Sequence, residues 1–218
     1  FYVQDLSSMQ VATKANLKGG EKVLDVCAAP GGKSLHIAEM LSMLENGETV
    51  EERNLKSETV EERNVKSGTV EARDLTADKV KRIEENIRRT GLGNISAKVF
   101  DATKFDEAAR NQYDVVVCDL PCSGLGVIGK KPEIKYRVQP EDLDDLAKLQ
   151  KNILKNAKDY VKEHGRLIFS TCTINKTEND ENTKWFLEEF PEFSLVSEEQ
   201  IFPKKDEWDG FYIALFEK

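Results

Sequence analysis

The sequence predicts an α/β fold, a doubly wound and mostly parallel sheet. Three observations predict it. Short apolar runs alternate with helix-period segments along the chain, which calls for strands joined by crossover helices. One run, Val115-Val116-Val117, is apolar at consecutive positions, as in a strand covered on both faces. Small, acidic or thiol-bearing residues follow the runs, at the strand ends where such sheets bind ligands.

The elements follow in order. Residues 21–27 form a short apolar run ending in small residues, read as a buried strand, and 28–33 form a tight turn. Residues 34–44 place Leu35, Ile37, Ala38, Leu41 and Leu44 near helical spacing. A strand is predicted over 69–75. A helix over 77–90 buries Val80, Ile83 and Ile87 and is stopped by Gly91 and Gly93. Strands follow over 96–100 and 113–120. A long helix over 141–161 carries Leu143, Leu146, Leu149, Ile153, Leu154 and Ala157 on one side. Gly165 ends its loop, and a strand over 166–170, a helix over 178–190 and a strand over 211–216 complete the order.

Composition bounds the rest. The chain has 218 residues, 32 basic and 40 acidic, for a net charge of −8, and 39% of it is hydrophobic. That is enough for one real core, so residues 1–218 are expected to form a single domain. No apolar run approaches the ~18 residues of a membrane span, and no signal-peptide pattern is present. Cys27, Cys118, Cys122 and Cys172 include no C-x-x-C pair, so neither a disulfide scaffold nor a metal site is predicted. A reducing, cytoplasmic location is expected. The first residue, Phe1, suggests a fragment or a processed chain. The acidic balance argues against nucleic-acid binding by bulk electrostatics.

One segment interrupts the alternation. Residues 49–58, 59–68 and 69–78 are three gapless copies of a ten-residue unit, and the first two agree at 8 of 10 positions. Their apolar residues recur every five positions, a poor helical period that suits strands with short turns. Residues 49–68 are therefore expected to add two strands, and a charged loop is the other reading. The third copy has Ala72 where the others have Glu52 and Glu62, so it is the one expected in the central sheet. Near-identity of this kind points to recent duplication or engineering.

Four motifs carry chemistry. Asp25-Val-Cys-Ala-Ala-Pro-Gly-Gly-Lys33 is a strand, a small-residue turn and a helix start, which brings backbone N–H groups close to a ligand. Asp74 ends the next strand, where an acid suits a ribose diol, and a helix cap is its plainer role. Asp119-Leu-Pro-Cys122-Ser-Gly and Ser170-Thr-Cys172-Thr follow two further strands. A lone cysteine is most often a small buried hydrophobe, but two at parallel strand ends beside an acid shift that balance. The loop with Lys130, Lys131, Lys135 and Arg137 offers phosphate contacts.

On these segments the chain resembles the catalytic domain of the Nol1/Nop2/Sun family of S-adenosylmethionine-dependent RNA cytosine-C5 methyltransferases, and especially its bacterial small-subunit rRNA members. The resemblance runs from Phe1-Tyr2-Val3-Gln4-Asp5 to Asp209-Gly210-Phe211-Tyr212. It implies a Rossmann-like methyltransferase sheet, S-adenosylmethionine as cofactor and RNA, notably rRNA, as substrate. Cys27, Ala28, Ala29, Pro30, Gly31, Gly32 and Lys33 would line the methionine and ribose, Asp74 would hold the ribose hydroxyls and Asp101 would lie by the adenine. Asp119 would sit between cofactor and target base, with Lys33 in support. Cys172 would be the nucleophile and Cys122 would assist product release. Departures are Gly129 in place of a basic residue, Lys176-Thr177 in place of Pro-Glu, and the family's N-terminal RNA-binding domain, expected to be absent here. Three functions are thus in view: an active RNA methyltransferase domain, an engineered strand-duplication variant with little activity, and a small-molecule or protein methyltransferase. The paired cysteines argue against the third. A monomer is expected, with edge-strand association through the repeat.

Overall fold

The computed structural model describes residues 3–46, 68–205 and 207–218. The first two repeat copies, apart from Gly68, and the strands expected of them lie outside the described residues.

Seven strands make one sheet: β1 (Lys22–Asp25), β2 (Thr69–Asp74), β3 (Ile95–Val99), β4 (Tyr113–Asp119), β5 (Val161–Thr171), β6 (Ser194–Ile201) and β7 (Phe211–Glu217). Their order is 3-2-1-4-5-7-6. The first five strands pair in parallel, and β7 runs antiparallel to both β5 and β6. The chain leaves β1 toward β2 and β3, then returns to β4 on the other side of β1. That reversal opens a crevice at the carboxyl ends of β1 and β4.

The helices are α1 (Leu6–Lys14), α2 (Gly32–Asn46), α3 (Ala77–Thr90), α4 (Ile134–Arg137), α5 (Pro140–Ala157) and α6 (Asp180–Glu189). Alternation along the strands divides the core in two. Val115 and Val117 face one way, with Val11 of α1, Leu35, Ile37 and Leu41 of α2 and Ile83 of α3. Val116 and Cys118 face the other way, with Ile153 and Leu154 of α5 and Phe186 and Phe190 at α6. Thr76 caps α3 by accepting from Lys79 N, and Gly91 closes it at φ 72°.

The third repeat copy is β2, paired with β1 and β3, and Ala72 is wholly buried there. A glutamate at that position would bury an unpaired charge.

Some predicted boundaries move. The long helix ends at Ala157, a 3-10 turn covers Lys158–Tyr160, and β5 begins at Val161. Val161 is fully buried and pairs with Tyr113, so tertiary burial ends the helix. Gly165 is therefore part of β5 and not a loop end. The register shifts there between Tyr113 and Val115, and a Cβ on Gly165 would stand 2.8 Å from Val161 Cγ1 and 3.0 Å from Asp114 O. Helix α1 and strand β6 have no counterpart in the sequence reading. α1 is short and small-residue-rich, held by Asp5 capping Ser7 N, and β6 is a mostly exposed edge strand without a clean alternation.

Candidate active site

A pocket of ≈ 310 Å³ occupies the crevice. Cys27, Ala29, Asp74, Asp101, Asp119, Cys122 and Cys172 all line it. The apolar part of the lining includes Val26, Phe100, Leu120, Pro121, Leu149 and Ile153.

The turn after β1 is shaped by its small residues. Ala28 N donates to Arg73 O and Gly31 N to Ala28 O, at 2.8 and 2.7 Å. Gly31 has φ 106°, a conformation that strains any side chain, and a Cβ there would stand 3.3 Å from Ile83 Cγ2. Pro30 turns away from the pocket, and its carbonyl accepts from Asn86 Nδ2 at 2.8 Å. Thus Ala28, Pro30, Gly31 and Gly32 build the turn, while Cys27 and Ala29 face the pocket.

Asp74 accepts from Ala29 N (2.9 Å) and Leu75 N (2.7 Å) and pairs with Lys79 Nζ at 3.0 Å. It is not the cap of α3, a role Thr76 fills. Lys79 is half exposed, so it is the donor a ligand hydroxyl can displace. Asp101, in the pocket lining, takes both Thr103 N and Thr103 Oγ1 on Oδ1, at 3.0 and 2.6 Å. Those Thr103 bonds hold the Asp101 carboxyl below its usual range.

Asp119 ends β4. Lys33 Nζ lies 2.6 Å from its Oδ2, and Ser170 Oγ donates to its Oδ1 at 2.8 Å. Burial opposes charge on Lys33, but Asp119 outweighs it and holds the ammonium above its usual range.

Beyond Asp119 the two thiols meet, Cys122 Sγ and Cys172 Sγ being 3.3 Å apart. They are not equivalent. The hydrogen bond from Cys122 lowers the Cys172 pKa; burial and Asp119 oppose it, while Lys33 and Lys131 assist. The same bond, burial and the charge on Cys172 push Cys122 well up. The bond thus moves the two thiols in opposite directions, and Cys172 is the more readily ionised of the pair. Burial pushes the thiols of Cys27 and Cys118 up as well, so Cys172 is the one of the four whose pKa is lowered, the direction that favours a nucleophilic thiol.

Of the loop cations, Lys130 is taken up by Asp5 Oδ2 (2.5 Å) and Asp209 Oδ2 (3.0 Å). Lys131, Lys135 and Arg137 are exposed, and none lines the pocket.

Several site residues escaped the sequence reading. Asp25 is fully buried and accepts from Ser34 Oγ at 2.6 Å. Gly126 lets the chain after Cys122 touch the Cys172 loop: its N donates to Cys172 O at 3.1 Å, and a Cβ would stand 2.3 Å from Gly210 O. Glu178 is buried between the two cysteine loops. The sequence signal for Asp25 was a charged residue ending an apolar run. Gly126 and Glu178 gave none at their own positions.

Asp25 yields a pH prediction. Burial, opposed by Ser34 and reinforced by Asp119, raises its pKa from 3.8 to about 7. The folded chain then keeps a proton that the unfolded chain releases. Stability from this group is full below pH about 4 and is lost as pH rises toward 7. The melting temperature of Asp25→Asn should therefore gain on the wild type between those pH values. A constant difference would contradict the assignment.

A family model described as 16S rRNA methyltransferase RsmB/F matches residues 54–217. The chain belongs to this family. It is 42% identical over 205 residues to a probable ribosomal RNA small subunit methyltransferase B of Bacillus subtilis, covering 93% of this chain and 41% of that protein. It is 35% identical to ribosomal RNA small subunit methyltransferase B of Vibrio vulnificus, covering 99% and 46%. The chain thus spans less than half the length of these relatives. Among solved structures, NSun6 from Pyrococcus horikoshii with SFG superposes with a TM-score of 0.81 at 26% identity, covering 100% of this chain and 53% of that one. The Rossmann-like methyltransferase sheet expected from the Nol1/Nop2/Sun resemblance is the observed fold.

S-adenosylmethionine, the methyl donor of such enzymes, fits the donor set. Asp74 offers a carboxylate beside a displaceable lysine, Asp101 offers an acceptor beside Phe100, and the Cys27–Ala29 turn brings backbone within reach.

Proposed function

We propose that the chain is the catalytic domain of an RNA methyltransferase acting on carbon 5 of a cytosine, in rRNA, through a covalent cysteine adduct. The Cys122–Cys172 pair at the pocket wall carries this reading. S-adenosylmethionine, when bound, supplies an electrophilic methyl group. Carbon 5 of cytosine is too weak a nucleophile to accept it unaided. The Cys172 thiolate adds to carbon 6, forming an S–C bond, and the displaced π electrons make carbon 5 enamine-like. Lys33, held 2.6 Å from Asp119, brings the positive charge placed to steady the negative charge that this addition puts on the ring N3 edge.

Once carbon 5 carries the methyl group, water takes its proton, the C–H electrons re-form the C5–C6 double bond, and the C6–S bond breaks to release the Cys172 thiolate. A thiol leaves faster when its pKa is low. Cys122, donating across 3.3 Å, supplies that assistance to the departing sulfur. The target base has to be unstacked to reach this depth. Lys131, Lys135 and Arg137 are the cations open to phosphate, whereas Lys130 already has two carboxylates. A small-molecule substrate would leave the second thiol without a task.

Incubation with tritiated S-adenosylmethionine and rRNA tests the reading. Digestion should return the label as 5-methylcytidine. Cofactor binding by calorimetry without any such label would overturn the assigned substrate or position.

A further inference from the structure

Glu178 lies in the turn at 176–179 that leads into α6, and nothing above requires it for chemistry. Yet it is completely buried. A buried carboxyl is costly unless its oxygens are satisfied, and here four donors converge on it. Oε2 accepts from Ser123 N (2.9 Å) and Gln150 Nε2 (3.1 Å). Oε1 accepts from Ser123 Oγ (2.6 Å) and Asn175 Nδ2 (3.1 Å). Both oxygens are thus placed to accept, the arrangement that suits a buried acid side chain.

The sources of those donors matter. Ser123 is the residue after Cys122. Its hydroxyl also meets Thr173 Oγ1 at 2.8 Å, and Thr173 is the residue after Cys172. Asn175 belongs to the Cys172 loop. Gln150, on α5, donates in addition to Pro121 O at 2.8 Å, just before Cys122. One carboxylate thus ties together the two loops that hold the thiols at 3.3 Å. Its negative charge also lies close enough to Cys122 to oppose ionisation there.

We propose that Glu178 is a positioning residue that sets which of the two thiols holds the shared proton, keeping it on Cys122 so that Cys172 is the thiolate. Two thiols this close titrate as a pair, so a fixed charge nearer one of them decides where the anion resides. Without such a bias, either sulfur could attack, and the sulfur that must leave would lose its donor. This rests on the covalent reading above, but it concerns the ligand-free protein.

The test is therefore made without RNA or cofactor. The protein is treated with a small amount of iodoacetamide at neutral pH, and the Cys122 and Cys172 peptides are quantified by mass spectrometry. Wild type should be labelled overwhelmingly at Cys172. Glu178→Gln, which keeps the shape and removes the charge, should raise the Cys122:Cys172 ratio by about tenfold, the effect of one pKa unit between coupled sites. Glu178→Asp, which keeps the charge and disturbs the bonds, should label like wild type even if it melts earlier. An unchanged ratio in Glu178→Gln overturns the proposal. So does a folded Glu178→Asp that labels both thiols alike, and that variant decides the matter if Glu178→Gln does not fold. Either failure leaves methyl transfer at Cys172 untouched, because the labelling involves no turnover.

Discussion

Cys172→Ala is expected to lower methyl transfer by about 10⁴-fold or more while leaving cofactor affinity within about threefold of wild type. Cys172 is the one thiol of four whose pKa its surroundings lower, while that of its neighbour Cys122 is pushed up. Its side chain lines the cavity, and its hydrogen bond is with Cys122 and not with the acids at the cofactor end. Cys122→Ala should behave differently. It removes the donor to the departing sulfur but not the attacking one, so a protein–RNA adduct should accumulate and survive denaturing electrophoresis. The double variant should form none. An adduct in Cys172→Ala, or methyl transfer by it at more than about a tenth of the wild-type rate, would assign attack to the wrong thiol. These outcomes separate a covalent mechanism from one in which the cysteines merely pack.

The parts of this site legible in the sequence are those made by local chain chemistry. The turn from Cys27 to Lys33 needs small residues because its backbone doubles back at Gly31, and that need is written in consecutive positions. Asp74 and Asp119 end predicted strands and Cys122 and Cys172 follow shortly after strand ends, so the sheet carries all four to one edge. Ala72 against Glu52 and Glu62 likewise let burial choose among three nearly identical copies. What stayed hidden depends on contacts between distant segments. Glu178 looks like any surface acid of a helix start until Ser123, 55 residues earlier, is seen to bind it. Gly126 matters only because Gly210 and Cys172 O press on it. β6 has no burial of its own to impose a period on its residues, and the antiparallel entry of β7 is a matter of topology that alternation cannot report.

The Lys33–Asp119 pair bears the second large expectation. Asp119→Ala leaves a largely buried ammonium with its 2.6 Å partner gone, and Lys33→Met leaves Asp119 with the Ser170 hydroxyl as its one remaining side-chain partner. Breaking a buried pair from one side costs about 3 kcal/mol, because the surviving charge has lost its compensation. Each single variant should show that loss in urea unfolding and should lose methyl transfer as well. Replacing both together removes two desolvation penalties along with the attraction, so Asp119→Ala with Lys33→Met should recover most of the stability. It should recover none of the activity. A double variant as unstable as the sum of the singles would mean that the two side chains act independently. One that regained activity would remove Asp119 from the chemistry. The expected split, stability restored and turnover still lost, follows from what such a pair does physically. It adds little to the fold compared with well-packed apolar side chains, and it keeps a fixed negative charge and a fixed positive charge beside the reactive sulfur.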